Sequence, residues 1–362
     1  MSSPISTDKV PRISITVRGA NGYEKLSGWE GLSIEKSIDS AGDGFAFRFP
    51  YDPNSENKNR FRPFGTQAVK VYVDDELLIT GYVENVGAST GVNNRSLEIQ
   101  GRSVTGTLVD WSAGYVYDPN KPVSQLETAF QFEGMKFNDI ARRVSGPNEV
   151  IAEPDAGPFP DVAIEPGQSI FQFLSSLAAA NGLWARTTPQ GGLRFVKIKK
   201  TAPVADLIEG TSPVTSVSTG HDVTQRFRGF IAVAQEDGNP EVSATAEDTY
   251  MALGIRGVKI IQPLQRSENY KNTAEFARAR SLINSYVATV NVTGWTHGGA
   301  FWKPGETVRL YAPGAFVNQY TPLIIKRANF KLDENSGQTT TLDLTFPEAY
   351  ENRLPEVLPW EG

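Results

Sequence analysis

Two histidines occur in this chain, His221 and His297, and they stand in different segments. The dipeptide His221-Asp222 has the residue types of a carboxylate-oriented imidazole base. No motif places a serine beside it, so a surface or interface histidine is the better reading. His297 lies in GWTHGGAFW, a turn rich in glycine and aromatics that offers no further ligands for a metal. The closest acidic pairs in loops are Glu153 with Asp155 and Glu236 with Asp237, which raises glycoside cleavage as the enzyme alternative. That chemistry needs two carboxyls about 5–9 Å apart across a cleft, and adjacency in sequence does not supply this. The glycines of GASTGVNNRS and GRSVTG are followed by no Gly-Lys-Ser/Thr and open no helix, so they are hairpin and strand-end glycines rather than a phosphate loop. Trp29, Trp295 and Trp302 could stack on sugars, but each sits beside a turn glycine in an apolar run, which favours core or subunit-interface packing. No catalytic, cofactor-binding or metal-ligating residue is therefore assigned, and neither a cofactor nor an enzymatic activity is expected.

The composition narrows the function classes further. At 362 residues the chain is too long for one ordinary core, and two or three domains are expected. Its 33 glycines and 23 prolines are spread rather than clustered, which suits many short strands joined by turns. The 35 basic and 41 acidic residues give a net charge of −6, and no basic run exceeds residues 197–200. A protein that grips DNA phosphates carries a basic face, so this chain is expected to let nucleic acid slide past. Cysteine is absent, which excludes disulfides, thiolate ligands and a cysteine nucleophile. The opening MSSPISTDKV lacks the basic and apolar regions of a secretory signal, and no stretch approaches the roughly 20 apolar residues of a membrane span. A soluble chain made in the cytoplasm is expected.

The elements that position these residues are mostly strands. Residues up to Lys9 read as a loose arm, and Asn21-Gly22 as a turn. Alternation at Ile13, Ile15 and Val17, at Leu32 and Ile34, at Phe45, Phe47 and Phe49, at Val69, Val71 and Val73, in LLITGYVENV, and at Leu97 and Ile99 predicts about six short strands, with a polar loop at 52–59. The period then changes. Ile170, Phe173, Leu174, Leu177 and Ala178 fall on one face of a helix, with Ser169 as N-cap and Asn181-Gly182 as the stop. A shorter helix is expected over 138–144 and a hairpin turning at 189–192. Asn272 with Glu275 suggests a capping box opening a helix to about Tyr286. Strands are expected at 287–293, 307–311, 323–332 and 339–346, with a turn at Asn335-Ser336-Gly337 and an extended tail at 355–362. A faint repeat also runs through the chain: FRPFGTQAVKVYV resembles FWKPGETVRLYA, and each is followed by a turn, an apolar strand, a polar hairpin and a closing strand.

The run GRSVTGTLVDWSAGY, residues 101–115, resembles the signature of the baseplate hub protein of Mu-like contractile-tailed bacteriophages. In that family a strand ends in Gly-Arg-Ser, here Gly101, Arg102 and Ser103, and the chain leaves its first barrel through Leu-Val-Asp, here Leu108, Val109 and Asp110. Other landmarks follow in order: Gly28-Trp29, Ser37-Ile38-Asp39, and a strand matching at Asp75, Leu77, Thr80, Gly81, Tyr82 and Val83, with Glu76 replacing a turn glycine. After them come Gly167, Leu174, Gly182 and Gly192-Leu193, then Ala277, Arg280, Gly294-Trp295, Trp302 and Pro347-Glu348-Ala349. Trp111 stands where a smaller residue is expected, and AEPDAGPFPDVAI is a departure whose path the resemblance does not give.

The resemblance implies an α+β, mainly β fold of two similar small β-barrels that form a torus on trimerisation, with an inserted α/β domain. It places the first barrel at residues 1–110, completed by 204–240, the outer insert at 111–203, the second barrel at 241–350 with the helix 272–286, and a tail at 351–362. The implied function is structural and not enzymatic: the central hub of a contractile tail, or of a related headless tail particle. Such a homotrimeric ring adapts a six-fold tail tube, or a tube-initiator protein, above to a three-fold spike below. Baseplate wedge proteins and the tape-measure protein are the further implied partners, DNA passes through without specific binding, and no membrane insertion is implied. The particle would be assembled in the host bacterial cytoplasm, leaving the chain in the virion's tail baseplate. The alternative is a tail-associated glycan-binding or glycan-cleaving protein. Edges such as 69–73 and 307–311 are expected to stand unpaired until cyclic assembly covers them.

Overall fold

The computed structural model describes residues 12–19, 22–26, 28–52, 64–91, 95–236, 239–251, 257–261, 270–333 and 337–361. The arm to Lys9, Asn21, the loop at 53–59, Asp237 and the Asn335-Ser336 turn lie outside the described residues. Seven strands make the first part: β1 (Ile13–Gly19), β2 (Gly22–Leu26), β3 (Gly31–Ser37), β4 (Gly44–Pro50), β5 (Ala68–Val73), β6 (Glu76–Thr90) and β7 (Arg95–Ser103). Their alternating apolar residues, Ile15 and Val17, Phe45 to Phe49, Val69 to Val73, Leu97 and Ile99, turn to one face and are buried. The β5–β6 hairpin turns on Asp74 and Asp75, at φ 47° and 67°. Aspartate tolerates this left-handed region, so the turn forms although Glu76 stands where glycine is usual. The alternation missed β2 because GYEKL is mostly exposed and polar and carries no period-two signal.

The insert contains β8 (Gln131–Met135), β9 (Val150–Glu153), β10 (Phe159–Ala163), β11 (Trp184–Thr187) and β12 (Leu193–Val196), with helices Phe137–Val144 and Ile170–Ala179. β8 pairs with β10, and β11, β12 and β9 form a second small sheet. The Ser169 hydroxyl accepts the Gln172 N–H at 3.2 Å and caps the second helix, whose apolar stripe from Ile170 to Ala178 is buried. AEPDAGPFPDVAI runs from the end of β9 through β10, which pairs with β8. The insert does not hang free. Ala185, Leu193 and Phe195 pack in its own core, whereas Trp184 belongs to the main core and Val196 packs against it. The alternation of two strands thus serves two cores at once.

The rest of the chain supplies β13 (Asp206–Ile208), β14 (Val214–His221), β15 (Gly229–Glu236), β16 (Asn239–Glu247), β17 (Val258–Ile261), β18 (Tyr286–Thr293), β19 (Thr296–His297), β20 (Ala300–Phe301), β21 (Thr307–Ala312), β22 (Val317–Asp333) and β23 (Gly337–Thr345). Here the expected domain limits need correction. β13 pairs with β21 and β14 with β18, so the strands after residue 204 extend the second half and do not complete the first. β15, β16 and β17 form a separate small sheet against the helix Tyr270–Ser285, through Phe230, Ala232, Ala246 and Ala274. That helix starts ahead of the expected 272, and Asn272 lies inside it, donating its side-chain N–H to the Ala180 carbonyl at 3.3 Å rather than capping. The tail is also not simply extended: Leu358 is buried and the Asn318 N–H donates to the Pro359 carbonyl at 2.9 Å.

The faint repeat corresponds to a shared geometry. β5, β6 and β7 form an antiparallel meander, as do β21, β22 and β23. Each long middle strand carries a bulge in its pairing with the closing strand, between Val83 and Asn85 in β6 and between Ile325 and Arg327 in β22. Tyr82 opposes Ala68 and Ile324 opposes Thr307, so both sides of the meander give the same equivalence, Glu84 with Lys326. Beyond the closing strands, β4 and β3 match β18 and β14. The halves are joined where β3 pairs with β22 over seven residues, from Gly31 opposite Asp333 to Ser37 opposite Arg327. The result is one 13-stranded sheet.

Beside this seam the three parts meet. Trp184 of the insert stacks on Phe276 of the helix at 4.3 Å, and its indole N–H donates to the Tyr350 carbonyl at 2.9 Å. Asp39 of the first half pairs with Arg280 of the helix at 2.6 Å, and its N–H donates to Ala185 at 2.8 Å. Burial pushes the Asp39 carboxyl above its ordinary range although Arg280 opposes this. Trp184→Ala removes the ring on which these parts converge, and it should cost about 3–5 kcal/mol, measured as a lowered urea midpoint at unchanged slope.

Candidate assembly interface

The signature run is a structural joint. A Cβ on Gly101 would lie 1.9 Å from the Tyr82 carbonyl oxygen and 2.5 Å from the Phe45 ring, and one on Gly81 would lie 2.1 Å from the Arg102 oxygen. Only glycine lets β6 and β7 approach this closely. Arg102 reaches Glu84 with two hydrogen bonds, at 2.7 and 2.9 Å, and Asp110 with one at 2.6 Å, fastening the end of β7 to the short helix Thr107–Asp110. The Glu84 hydrogen bond holds the guanidinium protonated more firmly than usual. The Ser103 hydroxyl accepts the Asp43 N–H at 3.1 Å. Asp43, buried, accepts from Lys36 and from Thr187 of the insert, both at 2.7 Å. Leu108 is buried and Val109 exposed. Trp111, larger than expected, stacks on Tyr117 at 5.4 Å.

The residues with chemical potential are not brought together. The His221 ring packs against Tyr286 at 5.2 Å and Trp360 at 5.0 Å, and this burial lowers its pKa. His297 lies 4.5 Å from the Trp302 ring, with Nε2 3.3 Å from Glu306. Asp155 accepts the Asn138 N–H at 3.0 Å at the start of a helix, a positioning role, while Glu153 ends β9. Trp295 and Trp302 are each 1% exposed, too deep to offer a face to a sugar, and Trp29 is half-buried against the main core. The Trp295 indole donates to the Lys331 carbonyl at 3.0 Å. Among the described residues no group of three His, Cys, Asp or Glu could hold a metal ion.

What the surface does offer is sheet edge. The two edges expected to be open are not: β5 is paired with β1 and β6, and β21 with β13 and β22. Among the described residues, open stretches lie instead on β2, on β13, on β14 and on the far half of β6. β2 carries Glu24 and Lys25, and β13 has three residues, devices that discourage pairing. β14 and residues 85–90 of β6 have neither. The joint beneath that part of β6 can be tested directly. Gly101→Ala should cost about 3 kcal/mol or more. Gly44→Ala, on the adjoining strand with its nearest contact at 3.9 Å, should stay within about 1 kcal/mol of the parent, both read by chemical denaturation.

Residues 12–103 match the family model for the Mu phage baseplate assembly protein GpP-like, N-terminal, and residues 123–197 that for the baseplate hub protein gp44-like, second domain. The fold is similar to the prophage MuSo2 43 kDa tail protein from Shewanella oneidensis, with TM-score 0.72 and 24% identity, covering 93% of this chain and 99% of that one. It is similar to the tail protein from Neisseria meningitidis MC58, with TM-score 0.73 and 20% identity, covering 94% and 98%. The E. coli c3393 protein, a component of the type VI secretion system with structural similarity to T4 bacteriophage tail proteins gp27 and gp5, aligns at TM-score 0.56 and 11% identity over 95% of this chain and 80% of that one. No curated protein matches the sequence. Two successive segments of the chain thus belong to baseplate hub domain families, GpP-like at residues 12–103 and gp44-like at residues 123–197, on a fold shared with prophage tail proteins.

Proposed function

We propose that this chain is the central hub of a contractile phage tail, a homotrimeric ring that adapts a six-fold tail tube to a three-fold spike. The observation that carries the reading is the duplicated meander with its bulge at equivalent positions in β6 and β22. Two equivalent modules per chain, taken three times, present six similar stations to a tube while the chain itself repeats three times. The family match supports a structural role in the virion's tail baseplate; Trp295 and Trp302 are buried, and His221 and His297 lie apart, each against aromatic rings. Tube above, spike below and wedge proteins around the rim are the partners that this geometry suits, with assembly in the host cytoplasm.

Static light scattering of the full-length protein at micromolar concentration should give three chain masses. A monomer would overturn the ring. The central passage is expected to be non-adhesive to DNA. The chain is net acidic, and many of its arginines already face carboxylates, as in Arg309 with Asp206 at 2.6 Å and Arg226 with Asp248 at 2.5 Å. Each phosphate gripped would add affinity and a steep salt dependence. Purified trimer should therefore not retard linear duplex DNA at physiological salt. Tight, salt-sensitive retardation would show a gripping channel.

A further inference from the structure

The two unblunted edges are complementary. Residues 85–90 of β6, NVGAST, bond β7 on one side, and the pairing of β5 with β6 ends at Tyr82, leaving the other side open among the described residues. β14, VTSVSTGH, bonds β18 on one side and ends the sheet. Neither stretch contains Lys, Arg, Asp, Glu or Pro. Charge and proline are the usual means of keeping an edge from pairing.

The chain already contains a template for what such edges join. In the correspondence between halves, β22 matches β6 and β14 matches β3. β3 lies along residues 327–333 of β22, of which 327–332 correspond to 85–90 of β6. The strand that belongs on that segment is therefore a counterpart of β3, which is β14. The same molecule's β14 stands seven strand steps from β6 in the sheet and does not pair with it. The occupant is a second copy.

We propose that β14 of one copy adds, antiparallel, to the open edge of β6 of the next. The register that repeats the internal seam sets Val86 opposite His221, Ala88 opposite Thr219, Ser89 opposite Ser218 and Thr90 opposite Val217. Thr219 and Val217 hold the places of Ile34 and Leu32, so they fall on the core-facing side together with Val86 and Ala88. No charge is buried by this contact. Every module then bonds the next through the same strand pair, and the sheet runs unbroken around the ring. This deepens the trimer reading and rests on it.

The chain has no cysteine, so engineered pairs report cleanly, and Ser89 and Ser218 are both exposed. Mild oxidation of assembled full-length S89C/S218C should give covalently linked dimers and trimers. S89C/V217C, which moves one thiol to the opposite face, should remain unlinked. A trimer by light scattering without linkage in S89C/S218C would overturn the strand pairing while leaving the ring. A monomeric parent would overturn the ring reading and this contact with it. A charge pair gives a second measure: S89K/S218K should lose trimers, and S89K/S218E should keep them. Equal assembly of the two would also overturn the pairing.

Discussion

Seven residue pairs between β3 and β22 convert two modules into one sheet, and most of the architecture follows from that seam. It buries Ile34 against Phe330 and sets Leu32 opposite Leu332, with Trp295 edge-on to Phe330 at 5.6 Å behind them. Burying such side chains is worth about 1.5–3 kcal/mol each, so the modules do not act as beads on a flexible linker. Their relative orientation is set by hydrogen-bond register, which admits only whole-residue steps and reverses every side chain when slipped by one. The seam also brings Asp39 toward Arg280, at 2.6 Å, and so fixes where the helix and the insert can dock.

The signature residues gain a physical meaning from this arrangement. Gly81 and Gly101 allow two backbones to touch, Arg102 fastens a strand end to the next helix, and the Ser103 hydroxyl holds the backbone N–H of the buried Asp43. These are the tasks of a rigid scaffold that must present its edges at fixed angles. A structural hub places its specificity in backbone geometry, and that is consistent with histidines and tryptophans spent on packing.

Strong local patterns in this sequence translated directly into structure. The helix after Ser169 and its glycine stop followed from one apolar stripe and two capping residues, and the phenylalanine and valine strands followed from alternation. The repeat was visible because β5 and β21 share the pattern of a small residue, valine, a cation, an aliphatic residue and tyrosine. What stayed hidden was non-local or polar. β2 and β14 are edge strands with little apolar content, so alternation gave no signal. The partners of β13 and β14 depend on strands about 70–100 residues later in the chain, which no local window holds. Asn272 had the residue type and spacing of a cap, yet the helix began earlier and used its amide to reach Ala180. The candidate interface was legible as a need for edge pairing, while the particular edges depended on which strands were already taken.

The sharing of β11 and β12 between two cores has a mechanical side. A neighbour that pulls on the insert loads Trp184 and Val196, whose own strands carry Ala185 and Phe195 in the opposite core. There is no hinge at that point to absorb the displacement. β12 is bonded along its length to both β11 and β9, so force directed along it is opposed by two ladders of hydrogen bonds in shear, which must yield together. The insert is thus a stiff lever, and a pull on it passes into the main sheet instead of being taken up locally.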